Sequence, residues 1–413
     1  MRAGLLGRIG GFGLVSAVIG TCIGANAAAP PPRAKLHAQP LILAHYMPWY
    51  QSKDFSGSWG WHWTMNHFNP DKVTGGRTEA ASQFRPLVGL YDSNDPDLLE
   101  CQALLMKTAG IDGVIIDWYG HDDYYDYAAN NRNSERFAAI ARRAGLRYAL
   151  CYETQTVPTE IKGGKIRTED VVKHGQDLMQ WTSAHFFSSP NYVKQAGRPV
   201  FLTFGDPYYN DAQWDQIFSV LPLKPFYFTE NDRRLPTASG GGFDWPAPNG
   251  GTTGAAREMD SFYTRSGGWS AFIPAAYPRF DDIYHEAGVG NSYGHIEDLG
   301  GKTFSNTLER ALKSSASIVQ LVTWNDWGEG TQIEPSVEFG YRDLETTQRL
   351  RQKYLKTPFV YKAQDLRLPV RWYLLRKRYH NDAKVYAKLN GFFPLMVSGH
   401  TAQAGQLLAR YKP

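Results

Sequence analysis

Cysteine is scarce. Three residues in 413, Cys22, Cys101 and Cys151, exclude a disulfide-built scaffold, and their spacing offers no cysteine metal site. Strong charge of either sign is missing too. A formal net charge of +4, two units of which are Arg2 and Arg8 near the start, is too close to neutral to argue for a nucleic-acid partner. Apart from the N-terminal run, no apolar stretch reaches the roughly 18 residues of a spanning helix, so stable membrane insertion is not expected. Repeats of solenoid period are absent, and no G-x-G-x-x-G follows the first strand-like run.

What is there is apolar and aromatic. A hydrophobic share of 42% against 20% charged residues supports one large core and excludes global disorder. Twelve Trp and 24 Tyr raise the aromatic share to 14%; most fill a core, but flat rings also stack on sugars. Arg2 and Arg8, an apolar run from Ile9 to Ile23 and a small-residue end at Ala25-Asn-Ala27 predict a signal peptide over 1–27, followed by a Pro/Ala-rich linker over 28–40. A secreted or periplasmic protein is therefore expected, and an oxidising compartment leaves a Cys101–Cys151 bridge open.

Short apolar runs then recur at 42–46, 113–118, 148–152, 199–204, 225–229, 242–245, 271–275 and 318–324, with helical patterns such as 97–109, 133–144 and 305–315 between them. This alternation predicts an α/β fold, a (β/α)8 TIM barrel over 41–367; a doubly wound open sheet is the alternative. Ionisable and aromatic residues follow nearly every run: His45, Tyr46, Trp49 and Tyr50; Asp117, Trp118 and Tyr119; Tyr152 and Glu153; then Asp206, Glu230, Asp244 with Trp245, and Tyr277. Barrel enzymes place their chemistry at the carboxyl ends of the strands, so these side chains are expected on one rim. Residues 368–413 are amphipathic and basic and predict a C-terminal extension of two or three helices presenting a solvated basic face.

The most informative stretch is 321–335, Leu-Val-Thr-Trp-Asn-Asp-Trp-Gly-Glu-Gly-Thr-Gln-Ile-Glu-Pro. A buried strand ends there in two carboxylates, Asp326 and Glu329, flanked by Trp324 and Trp327. If the chain turns helically after Asn325, positions i and i+3 share a face, with Cβ atoms about 5–6 Å apart. Paired carboxylates suit glycosidic cleavage, provided one stays protonated, which aromatic walls and a like-charged neighbour favour. The blander possibility is that the two acids cap a helix and pair with Lys or Arg.

Four motifs together carry a resemblance: His45-Tyr-Met-Pro-Trp-Tyr50, Trp59-Gly-Trp-His62, Gly113-Val-Ile-Ile-Asp-Trp-Tyr119 and Trp324-Asn-Asp-Trp-Gly-Glu-Gly-Thr-Gln-Ile-Glu-Pro335. Over residues 40–350 the chain resembles glycoside hydrolase family 99, the retaining endo-α-mannosidases. That resemblance implies a (β/α)8 barrel with a Glu-x-x-Glu pair after the last strand, which Asp326 and Glu329 occupy. Asp replaces the first Glu, and the Asn-Asp-x-Gly-Glu arrangement is similar to family 71, whose members cleave α-1,3-glucans. The implied mechanism makes Asp326 the base for the sugar 2-hydroxyl and Glu329 the general acid/base. A side chain one methylene shorter also leaves room for Asp326 to activate water directly and invert the anomeric centre.

By the same resemblance Glu153 holds the sugar near the reacting hydroxyl. Tyr46 and Tyr277 are read as hydrogen-bonding partners of substrate or acids, and Trp49, Trp61 and Trp118 as stacking platforms. Asn325 is read as orienting a hydroxyl or Asp326, and His62, Asp117, Trp324 and Trp327 complete the candidate substrate-binding set. A polysaccharide or oligosaccharide is the expected partner of a monomer, without cofactor or metal. Two rival functions stand beside the glycosidase: a carbohydrate-binding or polysaccharide-export barrel that has lost its chemistry, and a metal-dependent hydrolase using His45, His62 and Asp117.

Overall fold

The computed structural model describes residues 39–231, 235 and 237–412. The expected leader and nearly all of the linker lie outside the described residues. Eight runs of β-branched, aromatic and small apolar residues form the strands β1 (Leu41–Tyr46), β2 (Gly113–Trp118), β3 (Arg147–Glu153), β4 (Arg198–Phe204), β5 (Phe226–Glu230), β6 (Gly241–Phe243), β7 (Ala271–Ile273 and Ala275–Ala276, parted by Pro274) and β8 (Ile318–Leu321). Nearly all their residues are buried, as parallel strands covered on both faces require. Pairing runs β7–β6–β5–β4–β3–β2–β1–β8, all parallel, and Ala275–Ala276 return to pair with Gln320 and Leu321. The circuit of eight strands closes, which leaves no sheet edge exposed and decides against the open doubly wound sheet.

The weakest predicted strand is present for a packing reason. In β6, Gly241 has no side chain because a Cβ there would lie 2.5 Å from the Phe228 ring of β5. No helix is described between β5 and β6. Elsewhere the crossovers are helical: α1 (Pro96–Ala109), α2 (Tyr127–Ala144), α3 (Thr156–Lys162), α4 (Val171–Thr182), α5 (Asp211–Phe218), α6 (Gly251–Ser266), α7 (Lys302–Lys313) and α8 (Arg342–Tyr354). The boundaries of α1 follow local chemistry. Asp95 accepts from the Asp97 N–H, Pro96 stands first in the helix, and Gly110 closes it in the left-handed conformation. Among the described residues, no helix is long and apolar enough to cross a membrane.

Cys101, on α1, and Cys151, in β3, are separate buried thiols rather than a bridge. The C-terminal region holds four helices, α9 (Arg367–Arg378), α10 (Ala383–Leu389), α11 (Phe392–Val397) and α12 (Thr401–Ala409); α9 and α11 pack against α1, and α10 and α12 pack on them. Its basic residues divide: Arg378, Lys384 and Lys388 are exposed, as a solvated face requires, whereas Arg376 and Lys377 pair with acids of the barrel. Arg376, 7% exposed, donates to Asp97 Oδ1 at 2.7 Å with its guanidinium over the Tyr386 ring, and Lys377 reaches Asp95 at 2.5 Å. Two acids at the start of α1 thus draw these cations inward, because an unpaired buried carboxylate would cost several kcal/mol.

Candidate active site

Beyond Leu321 the chain leaves the barrel wall and folds back on itself as a tight loop instead of entering a helix. The Thr323 N–H donates to the Thr331 carbonyl at 3.0 Å, closing the loop, and Thr323 Oγ1 accepts from the Asp326 N–H at 2.7 Å. Asp326 Oδ1 in turn accepts from the Glu329 N–H at 3.0 Å. One oxygen of Asp326 therefore does cap a turn, as the blander reading held, but no Lys or Arg pairs with either acid among the described residues. The loop after β7 is laced to the same turn: the Asp281 N–H donates to the Glu329 carbonyl at 2.8 Å and the Ile283 N–H to the Gly328 carbonyl at 3.0 Å. Gly330 permits this approach. Its φ is +67°, and a Cβ would stand 2.6 Å from the Asp281 carbonyl.

These loops form the floor and one wall of a cleft of about 800 Å³ at the carboxyl ends of the strands. Four carboxylates line it, Glu153, Glu230, Asp326 and Glu329, with no Lys or Arg among its described lining residues. Burial pushes Asp326 up to about 6, partly offset by the N–H groups of Glu329 and Gly328. Glu329 goes further: burial first, then the negative charges of Asp326, Asp282 and Glu153, hold it well above the usual carboxylate range, and the Tyr284 hydroxyl offsets only part. Its Oε2 is buried without a hydrogen-bond partner. Glu153 is raised to about 7 by burial, eased by the Gln155 amide at 3.0 Å from its Oε2. At neutral pH the pair is thus split, Asp326 ionised and Glu329 protonated.

The candidate residues divide. Trp49, Trp61, His62, Glu153, Asp326 and Glu329 line the cleft. Trp49 stacks on His62 with ring centroids 4.1 Å apart, and burial lowers His62 to about 3, so it stays neutral. Trp61 is 42% exposed and free to stack. The other seven do not line it. Tyr46 points into the helix layer and donates to Gln102 at 2.9 Å; Trp118 is buried and donates to Asn131 at 2.9 Å. Asp117 is buried beside Glu153 and holds its proton through burial and that neighbour. Tyr277 packs in a separate cluster with Ala255, Met259 and Val322.

Trp324, Asn325 and Trp327 are wholly buried under the floor, so the walls come from elsewhere. Asn325 clamps the loop after β1, accepting from the Met47 N–H at 2.8 Å and donating to its carbonyl at 2.9 Å. The walls are instead Tyr50, Tyr119, Trp245, Tyr284 and Tyr293, with Gln155, Asn291 and Ser292 as polar points. Tyr50, Tyr119 and Trp245 follow strands and are among the residues that the sequence places on the rim. Tyr284 and Tyr293 sit in the long β7 loop, where no periodicity marks them. His45, His62 and Asp117 form no metal-ligating group among the described residues.

A buried network holds the floor rigid. Tyr91 donates to Glu334 Oε2 at 2.7 Å and accepts from Trp327 Nε1 at 2.9 Å and Asn325 Nδ2 at 3.1 Å, while Gln102 donates to Glu334 Oε1 at 2.7 Å. Removing this one hydroxyl strips three partners. Tyr91→Phe is expected to destabilise the fold by about 3 kcal/mol, read from urea unfolding, because buried donors and an acceptor lose their partner together. A loss below about 1 kcal/mol would mean water replaces the hydroxyl.

No protein-family model matches the chain. Among curated proteins it is similar to the glycoprotein endo-alpha-1,2-mannosidase of Rattus norvegicus, 24% identical over 398 residues, covering 84% of this chain and 83% of the relative. The Xenopus laevis protein of that name is 22% identical over 379 residues, covering 79% and 78%. Among solved structures, the GH99 endo-alpha-mannosidase from Bacteroides thetaiotaomicron superposes with a TM-score of 0.57 at 20% identity, covering 76% of this chain and 97% of that one. A glycoside hydrolase-like protein gives a TM-score of 0.53 at 14% identity, covering 79% and 97%. Both solved structures share the fold.

Proposed function

We propose, from the premise that this chain is a relative of glycoside hydrolase family 99, that it is an endo-acting glycoside hydrolase cleaving α-linkages of a mannan-type glycan outside the cytoplasm. One observation carries the reading: Asp326 and Glu329 line the floor of one aromatic cleft, where burial and the charge of Asp326 favour the proton on Glu329. Separated protonation states assign acid and base roles.

In the mechanism that the resemblance implies, Asp326 takes the proton of the sugar 2-hydroxyl, whose oxygen closes onto the anomeric carbon as the glycosidic bond breaks. Glu329 gives its proton to the departing oxygen. Water then opens the anhydro-sugar, handing one proton to Glu329 while the 2-oxygen recovers its own from Asp326. Glu153 steadies the sugar, and Trp49 and Trp61 offer stacking faces.

The pH dependence follows with its sign. Activity requires Asp326 ionised, so kcat/KM rises with pH through about 6; it requires Glu329 protonated, so kcat/KM falls again on the alkaline side. A profile flat across the acid limb would remove Asp326 from the base role. The substrate test is chain-length profiling and proton NMR of products from α-mannan and α-1,3-glucan. Oligosaccharides from mannan with retained configuration are expected; inversion would assign Asp326 to water instead. Activity on the glucan alone would overturn the substrate class. No new reducing ends from either, with retention on immobilised mannan, would favour a binding protein.

A further inference from the structure

A second cluster of titratable groups lies near the barrel rim, outside the cleft lining. Asp122 follows β2, Glu160 is on α3 and His174 is on α4. His174 Nε2 stands 2.6 Å from Asp122 Oδ2 and 3.9 Å from Glu160 Oε2, and one ligand atom from each residue lies within 4.8 Å of the others. Ligands about 2.1 Å from a tetrahedral ion stand roughly 3.4 Å apart, a spacing these distances bracket. Glu160 is 1% exposed, yet its Oε2 has no hydrogen-bond partner, and His174 Nδ1 has none either. Among the described residues no Lys or Arg comes within ion-pair distance of Asp122 or Glu160. The buried Glu160 oxygen points at a second carboxylate, and the His174 imidazole, hydrogen-bonded to Asp122, is the nearest group able to offset the two charges.

We propose that Asp122, Glu160 and His174 bind one divalent ion of the zinc type, tying the loop after β2 to the two helices that follow β3. The imidazole argues against calcium or magnesium, which prefer all-oxygen shells; two carboxylates and one nitrogen suit zinc, with a fourth position for water. His174 would bind through Nε2 with Nδ1 carrying the proton. The role is structural: Tyr119, three residues before Asp122, lines the cleft, so a fixed loop fixes one of its walls.

The test uses the full chain, stripped by chelator, dialysed and titrated calorimetrically with Zn²⁺, with metal content measured on the product. One zinc per chain and a Tm rise of a few degrees are expected. Glu160→Gln and His174→Asn should each weaken binding by about a hundredfold or more, since losing a ligand exceeds the loss of an outer-shell partner. If Glu160→Gln fails to fold, His174→Asn, at a less buried position, decides alone. Substoichiometric zinc in the parent, unchanged affinity in the folded variants, or tighter binding of Ca²⁺ than Zn²⁺ would overturn the assignment.

Discussion

Glu329→Gln is expected to lower kcat on α-mannan by roughly a thousandfold, within the span for loss of a positioned general acid. The substitution keeps volume and shape and removes only the transferable proton. Asp326, Asp282 and Glu153 hold that proton in place by their charge, on top of burial. Stability should not fall with activity. A carboxyl raised above its unfolded value favours the fold at pH below the usual carboxyl range, and that contribution is lost as pH rises toward the folded pKa. At neutral pH the amide variant escapes that loss and melts no lower than the parent. An aryl glycoside whose leaving group needs no proton should recover much of the rate. Parent-like kcat on mannan would sink the acid assignment.

Asp326→Asn is expected to cost a comparable factor, roughly 10²–10³, because the base is gone while its capping oxygen remains. Asn still accepts from the Glu329 N–H, so Tm holds. Asp326→Ala loses activity and cap together, with an additional destabilisation of about 1 kcal/mol. Asp326→Asn also removes the negative charge that raises Glu329 most. Residual activity should therefore decline at lower pH on the alkaline side than in the parent. Comparing the two variants by melting and by pH profile separates the turn-capping role from the chemical one. Equal stability of Asn and Ala variants would deny the cap, and an unmoved alkaline limb would deny the coupling between the two acids.

The strand ends were legible because parallel barrel strands are buried on both faces, so short apolar runs stand out and the first polar residues after them fall on one rim. The acids were legible because three residues of chain bring them together. The orientation of the tryptophans was not. Trp324 and Trp327 flank Asp326 in sequence, yet both are buried while Trp49 and Trp61 face the cleft. Trp327 is held by Tyr91, which reaches under the floor from a distant part of the chain and bonds Glu334 in turn.

Sequence by itself determined the barrel, the rim and the acid pair, since each rests on local periodicity or a spacing of a few residues. Only the tertiary structure decided which side chains wall the cleft, that Tyr284 reaches Glu329, and that Asp122, Glu160 and His174 converge. Those relations join separate loops: the cluster needs β2 beside β3, and Tyr284 meets Glu329 where β7 pairs with β8 to close the barrel.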